Sequence, residues 1–76
     1  MSRITGVSGK TVMRLAEKRG WYLVRVRGDH FIYRHEELPG NLSIPDHREL
    51  STGLLHSAIK LMGLSVNEFL EAIGRR

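Results

Sequence analysis

A chain of 76 residues, 41% hydrophobic and 26% charged, has room for one core and no separate substrate domain, so residues 1–76 read as a single domain. It contains no cysteine, which excludes disulfides, thiolate metal sites and thiol nucleophiles, and no apolar run approaches the roughly 20 residues that span a bilayer; a cytoplasmic protein is the expectation. The net charge of +4 conceals an asymmetry, because residues 1–34 hold eight Lys/Arg against two acids, a balance of +6, and the remainder holds four against six. That is the footprint of a polyanion binder or of a solvated basic helix.

In chain order, Ser8 stands where it can cap a helix running to about Arg19, with Val12, Leu15 and Ala16 on one face and Gly20 as a stop. From Trp21 to Arg27 the residues become β-rich, and after Gly28-Asp29 a second such run extends from His30 to His35, which together read as a hairpin. Residues 36–41, with Pro39-Gly40, form a turn, and Leu42-Ser43-Ile44 a short third strand ended by Pro45. Beyond a loop over 46–51, Leu55, Ala58, Ile59 and Met62 recur at helical spacing up to Gly63. Ser65 and Glu68 then have capping-box spacing, Leu64 and Phe69 are placed as a hydrophobic staple, and a short third helix ends near Gly74. The order predicts an α+β domain: a three-stranded antiparallel sheet covered on one face by helices, with a short C-terminal helix.

Strand alternation puts His30 on one face with Ile32 and Arg34, and Phe31, Tyr33 and His35 on the other. If Phe31 and Tyr33 pack under the helices, His30 emerges on the open face, within reach of Arg25 and Arg27. Leu23 and Ile32 would then form an apolar patch around it for a protein partner. A histidine among guanidiniums suits RNA chemistry, since imidazole exchanges protons near neutral pH and arginines hold phosphate. A half-exposed strand histidine bonded to backbone is the other reading of the residues alone. Lys10, Arg14 and Lys18 drift by about 40° per step on the first helix and form one basic stripe, either gripping phosphate or merely solvated. His47 reads as a phosphate contact or a loop-packing residue, His35 as a turn residue and His56 as surface. Trp21, Tyr22 and Phe31 offer base-stacking faces, although a small domain spends most of its aromatics on packing. Without a convergent set of three or four ligands, no metal or cofactor is expected. A helix-turn-helix built around Gly63-Leu64-Ser65 fits poorly, because Glu68 and Glu71 repel phosphate and only Arg75 and Arg76 favour it.

The segments Ser8-Gly9-Lys10, Gly20-Trp21 and Arg27-Gly28-Asp29-His30-Phe31-Ile32-Tyr33-Arg34 occur in a familiar order. They are followed by Ile44-Pro45-Asp46-His47, Glu49-Leu50, Gly53, Ala58-Ile59, Met62-Gly63-Leu64-Ser65 and Glu68-Phe69. The whole pattern resembles the HicA family of toxins. The resemblance implies an αβββα fold similar to a double-stranded-RNA-binding domain, and a toxin that cleaves mRNA until a HicB-type antitoxin covers its site, with His30 as the working histidine. Two positions depart from it: Asp29 stands where Ser or Gly is usual, and Leu54 where Thr is frequent. The expectation is a monomeric, metal-independent endoribonuclease in which His30 takes the 2′-hydroxyl proton, with Lys10, Arg14, Lys18, Arg25, Arg27, Arg34 and His47 on the RNA. A non-catalytic RNA-binding module of the same fold is the rival.

Overall fold

The computed structural model describes residues 4–75. Its elements follow the order α1 (Gly9–Lys18), β1 (Tyr22–Arg27), β2 (His30–Arg34), β3 (Leu42–Pro45), α2 (Thr52–Leu61) and α3 (Val66–Ala72). The strands form one antiparallel sheet in the order β1-β2-β3. This is the expected αβββα layout with a third helix at the C-terminal end.

Each helix starts where a side chain satisfies its free N–H groups. Ser8 Oγ accepts from Thr11 N–H and Ser51 Oγ from Leu54 N–H. Ser65 and Glu68 form the full capping box, in which each side chain accepts from the other's backbone N–H. These bonds draw the Glu68 carboxyl below its ordinary value, the Ser65 backbone bond first. Strand β1 begins one residue later than expected, because Trp21 turns into the core and its N–H returns to the Ala16 carbonyl at 3.0 Å. The Trp21 indole Nε1 is buried without a hydrogen-bond partner among the described residues. Pro45 is the last residue of β3, where an edge strand tolerates it.

The core lies between the sheet and the helices. Tyr33, Leu42 and Ile44 from β2 and β3 meet Val12, Leu15 and Ala16 of α1, Leu55 and Ile59 of α2, and Phe69 of α3. Helices α1 and α2 both rest on β3, so their cover is centred at that side of the sheet, and every residue of β1 is exposed. The two ends of the chain are joined by Arg75, whose guanidinium donates to the Thr5 and Gly6 carbonyls.

Tyr33 sets an alkaline limit on this core. Its side chain is 1% exposed and its hydroxyl donates to Glu17 at 2.9 Å; burial first, and then the carboxylate, push its pKa from 10.0 to about 12. The folded state therefore holds the phenolic proton more tightly than the unfolded chain does. The stabilisation is complete below pH 10 and is lost as pH rises toward 12. We expect the melting temperature to fall over that window and Tyr33→Phe to flatten the fall; an unchanged slope in the variant would refute the assignment.

Candidate active site at the hairpin turn

The β1–β2 connection is the two-residue turn Gly28-Asp29. Gly28 has φ +59 and Asp29 does not take a positive φ, the arrangement of a type II′ turn that matches strand twist. This turn sets Arg27 directly opposite His30, while Pro45 of β3 flanks His30 on its other side. Cross-strand partners share a face, so His30, Ile32 and Arg34 look away from the helices, whereas Phe31 and Tyr33 look toward them. Arg25, opposite Ile32, joins this open face.

The register shifts between Leu23 and Arg25, and this bulge corrects the expected apolar patch. Regular alternation would align Leu23 with Arg25 and Arg27. With one extra residue in β1, Leu23 instead pairs with Tyr33 and lies on the helix side, beyond the helical cover and 45% exposed. Tyr22, paired with Arg34 and 47% exposed, takes the place on His30's face. The open face thus carries Tyr22, Arg25, Arg27, His30, Ile32 and Arg34, more basic and more aromatic than strict alternation implies. The signal in the sequence was Trp21-Tyr22-Leu23-Val24, four apolar or aromatic residues in a row without alternation. Of the three aromatics considered for stacking, Trp21 is core, Phe31 packs partly against it, and Tyr22 is free to meet a base.

Asp29 is the centre of a polar cluster at the tip of the hairpin. Its Oδ2 accepts from the His47 Nε2–H at 2.6 Å, and its Oδ1 lies 2.9 Å from His30 Nδ1, an ion-pair contact whenever that ring is protonated. All three side chains are about half exposed, at 50% for His30 and 53% for the other two. The His47 hydrogen bond is the main reason the Asp29 carboxyl lies below its ordinary value; slight desolvation opposes it and the two imidazoles add to it. Backbone bonds hold the parts in place. Asp46 N–H donates to the Asp29 carbonyl at 2.7 Å, and Gly9 N–H donates to the His47 carbonyl at 2.9 Å. Among the described residues no group of three His, Cys, Asp or Glu is placed to hold a metal ion.

The expected RNA-binding residues divide into two sets. Arg25, Arg27 and Arg34 share the face of His30, and His47 reaches the same end through Asp29. Lys10, in the first turn of α1, lies near that end as well, with Nζ 3.7 Å from Asp46 in an exposed and therefore weak pair. Arg14 and Lys18 line a groove with Ala72 at the end of α3 and Ile73 just after it, in the helical layer on the far side of the sheet from His30. The stripe on α1 is real as a helical face, but the fold does not bring its C-terminal half to the histidine. His35 has the turn role: Nε2–H donates to the Arg19 carbonyl and Nδ1 accepts from Glu37 N–H, both at 2.9 Å. His56 is exposed on α2. Arg75, one of two residues that favoured DNA binding, is occupied by the chain's own carbonyls, and Arg76 lies outside the described residues.

No helix among the described residues is long and apolar enough to cross a membrane. Comparison with curated proteins returns no match. Residues 9–64 match the family model described as the HicA toxin of bacterial toxin-antitoxin, a span that holds the turn, the three strands and the loop bearing His47. With that match covering most of its length, the chain belongs to the HicA toxin family of bacterial toxin–antitoxin systems.

Proposed function

We propose that this toxin acts by cutting mRNA, with His30 as the group that takes the proton from the attacking nucleophile. The observation that carries the proposal is the composition of the open sheet face: one half-exposed histidine flanked across the hairpin by Arg27, with Arg25, Arg34 and the exposed Tyr22 beyond it. Family membership already makes the chain the toxin of a pair, with a cognate antitoxin as partner.

The chemistry suits the residue types. Single-stranded RNA offers unstacked bases to an aromatic face and phosphates to guanidiniums. With a phosphate held by the arginines, the imidazole removes the proton of the adjacent 2′-hydroxyl. The 2′-oxygen attacks phosphorus and the bond to the 5′-oxygen breaks; His30 keeps the 2′-hydroxyl proton as imidazolium, and the departing 5′-oxygen takes its proton from solvent water. The arginines stabilise the negative charge that builds on the phosphoryl oxygens.

The test uses a defined single-stranded oligoribonucleotide and its analogue lacking the 2′-hydroxyl at the cut position. The expected result is a 2′,3′-cyclic phosphate product from the first and no cleavage of the second. Cleavage of the deoxy analogue at the same bond would overturn 2′-hydroxyl attack and leave water as the nucleophile. Binding of both without cleavage of either would leave a non-catalytic RNA-binding module.

A further inference from the structure

We propose that Asp29 and His47 are positioning residues for His30: His47 fixes the Asp29 carboxylate, whose second oxygen stands against His30 Nδ1 and leaves Nε2 to take the proton. The inference rests on the reading of His30 as the proton acceptor and deepens it.

The geometry is specific. A carboxylate on a two-residue turn, half exposed, would ordinarily sample several rotamers. Here the His47 ring holds Oδ2 at 2.6 Å, and Oδ1 lies 2.9 Å from the His30 ring. The backbone of the turn is tied to the His47 loop by the Asp46 N–H bond to the Asp29 carbonyl, and that loop is tied to α1 by the Gly9 N–H bond to the His47 carbonyl. The cluster is too exposed to add much to stability, so its order needs another use. When His30 takes a proton, the new positive charge arises beside the Asp29 carboxylate, whose Oδ1 is 2.9 Å from Nδ1 and stabilises the imidazolium as it forms. A base oriented by a second group is the general arrangement for histidine-driven attack.

This assigns His47 a role different from a phosphate contact, and kinetics separate the two. A residue that grips RNA raises KM when removed, whereas one that acts through Asp29 lowers kcat and leaves KM unchanged. The experiment compares the wild type with Asp29→Asn, Asp29→Ser, His47→Gln, the double variant Asp29→Asn/His47→Gln, and His30→Ala. All are checked for folding by circular dichroism. Cleavage of a fluorescent single-stranded oligoribonucleotide gives kcat and KM, and carbon-13 NMR gives the titration of the Asp29 carboxyl in the absence of RNA.

In His47→Gln the Asp29 titration is expected to move up toward its ordinary value of 3.8. Each single substitution at 29 or 47 should lower kcat by about 10- to 100-fold, the range seen when the partner orienting a metal-bound imidazole is lost. The double variant should be no slower than the slower single one, because both changes break one chain of contacts. An Asp29 carboxyl that titrates identically with and without His47 would overturn the proposal. So would folded variants at 29 and 47 that cut at the wild-type kcat while His30→Ala is inert, or a change confined to KM. Cleavage by folded His30→Ala at the wild-type rate would instead overturn the reading of His30 itself. The Asp29 titration would in that case still report whether the cluster forms.

Discussion

Replacing His30 by alanine is expected to abolish growth arrest and transcript loss together on induced expression, while the variant keeps the circular dichroism of the wild type. The substitution removes a side chain that is half exposed and outside the core, so the fold has little reason to change. Loss of a general base typically costs about 10²- to 10⁴-fold in rate. On the proposed mRNA-cleaving mechanism, a loss at the upper end of that range is expected to remove both effects together. The decisive comparison is between soluble, folded proteins at equal abundance. Arrest from both without RNA decay from either would assign toxicity to binding rather than chemistry, because the arginines and Tyr22 remain on the open face in the variant, whereas RNA decay from both would overturn the role of His30.

Gly9→Ala is expected to be the most damaging single methyl in the chain. Gly9 is buried where the first turn of α1 meets the end of β3, and an added Cβ would lie 2.0 Å from the Pro45 carbonyl oxygen and 3.3 Å from the Asp46 Cα. Both neighbours are backbone, so neither can swing aside as a side chain would. Relief requires that the helix and the loop separate, which weakens the Gly9 N–H bond to the His47 carbonyl. Overpacking of this kind costs about 1–3 kcal/mol. For a domain of this size each kcal/mol lowers the melting temperature by about 4–8 °C. Because the displaced loop carries His47, a second effect is expected at a distance from the new methyl: the Asp29 carboxyl loses its partner. An unchanged melting temperature would show that the junction yields more easily than its backbone contacts imply.

The order and type of all six elements were legible in the sequence, because each rests on local chemistry. Ser8 and the Ser65/Glu68 pair satisfy free N–H groups at helix starts, Gly28-Asp29 supports a tight turn, and Leu55, Ala58 and Ile59 keep helical spacing. His30 on the open face followed from a period of two and from the helices needing Phe31 and Tyr33. The run Trp21-Tyr22-Leu23-Val24 marks a break in alternation, but not where one extra residue enters the strand. The bulge beside Val24 moved Leu23 off the face of His30 and Tyr22 onto it, and alternation contains no information about where its own phase will slip. The meeting of Asp29 with His47 was equally hidden. It joins residues 18 apart in sequence and depends on how the segment after β3 is pinned to α1 by a contact that Gly9 alone has room to make. Asp29 stood out only as a departure from the family pattern, and the structure gives that departure two imidazole neighbours.

Strand β1 has a consequence for the toxin as a colloid. It lies at one end of the sheet with a row of unpaired backbone donors and acceptors, and Tyr22, Leu23, Val24 and Val26 are each 42–48% exposed on its two faces. Such an edge is a template on which like strands can zip together. Two features oppose this: the bulge, which bends the edge out of flat register, and the guanidiniums at 25 and 27, which antiparallel self-pairing would crowd against one another. That charge barrier reaches about 8 Å at physiological ionic strength and about 3 Å at 1 M salt. The arginines of β1 thus oppose self-pairing of the edge, and neutralising them to test the proposed RNA contact would also remove a charge barrier that keeps one copy apart from the next.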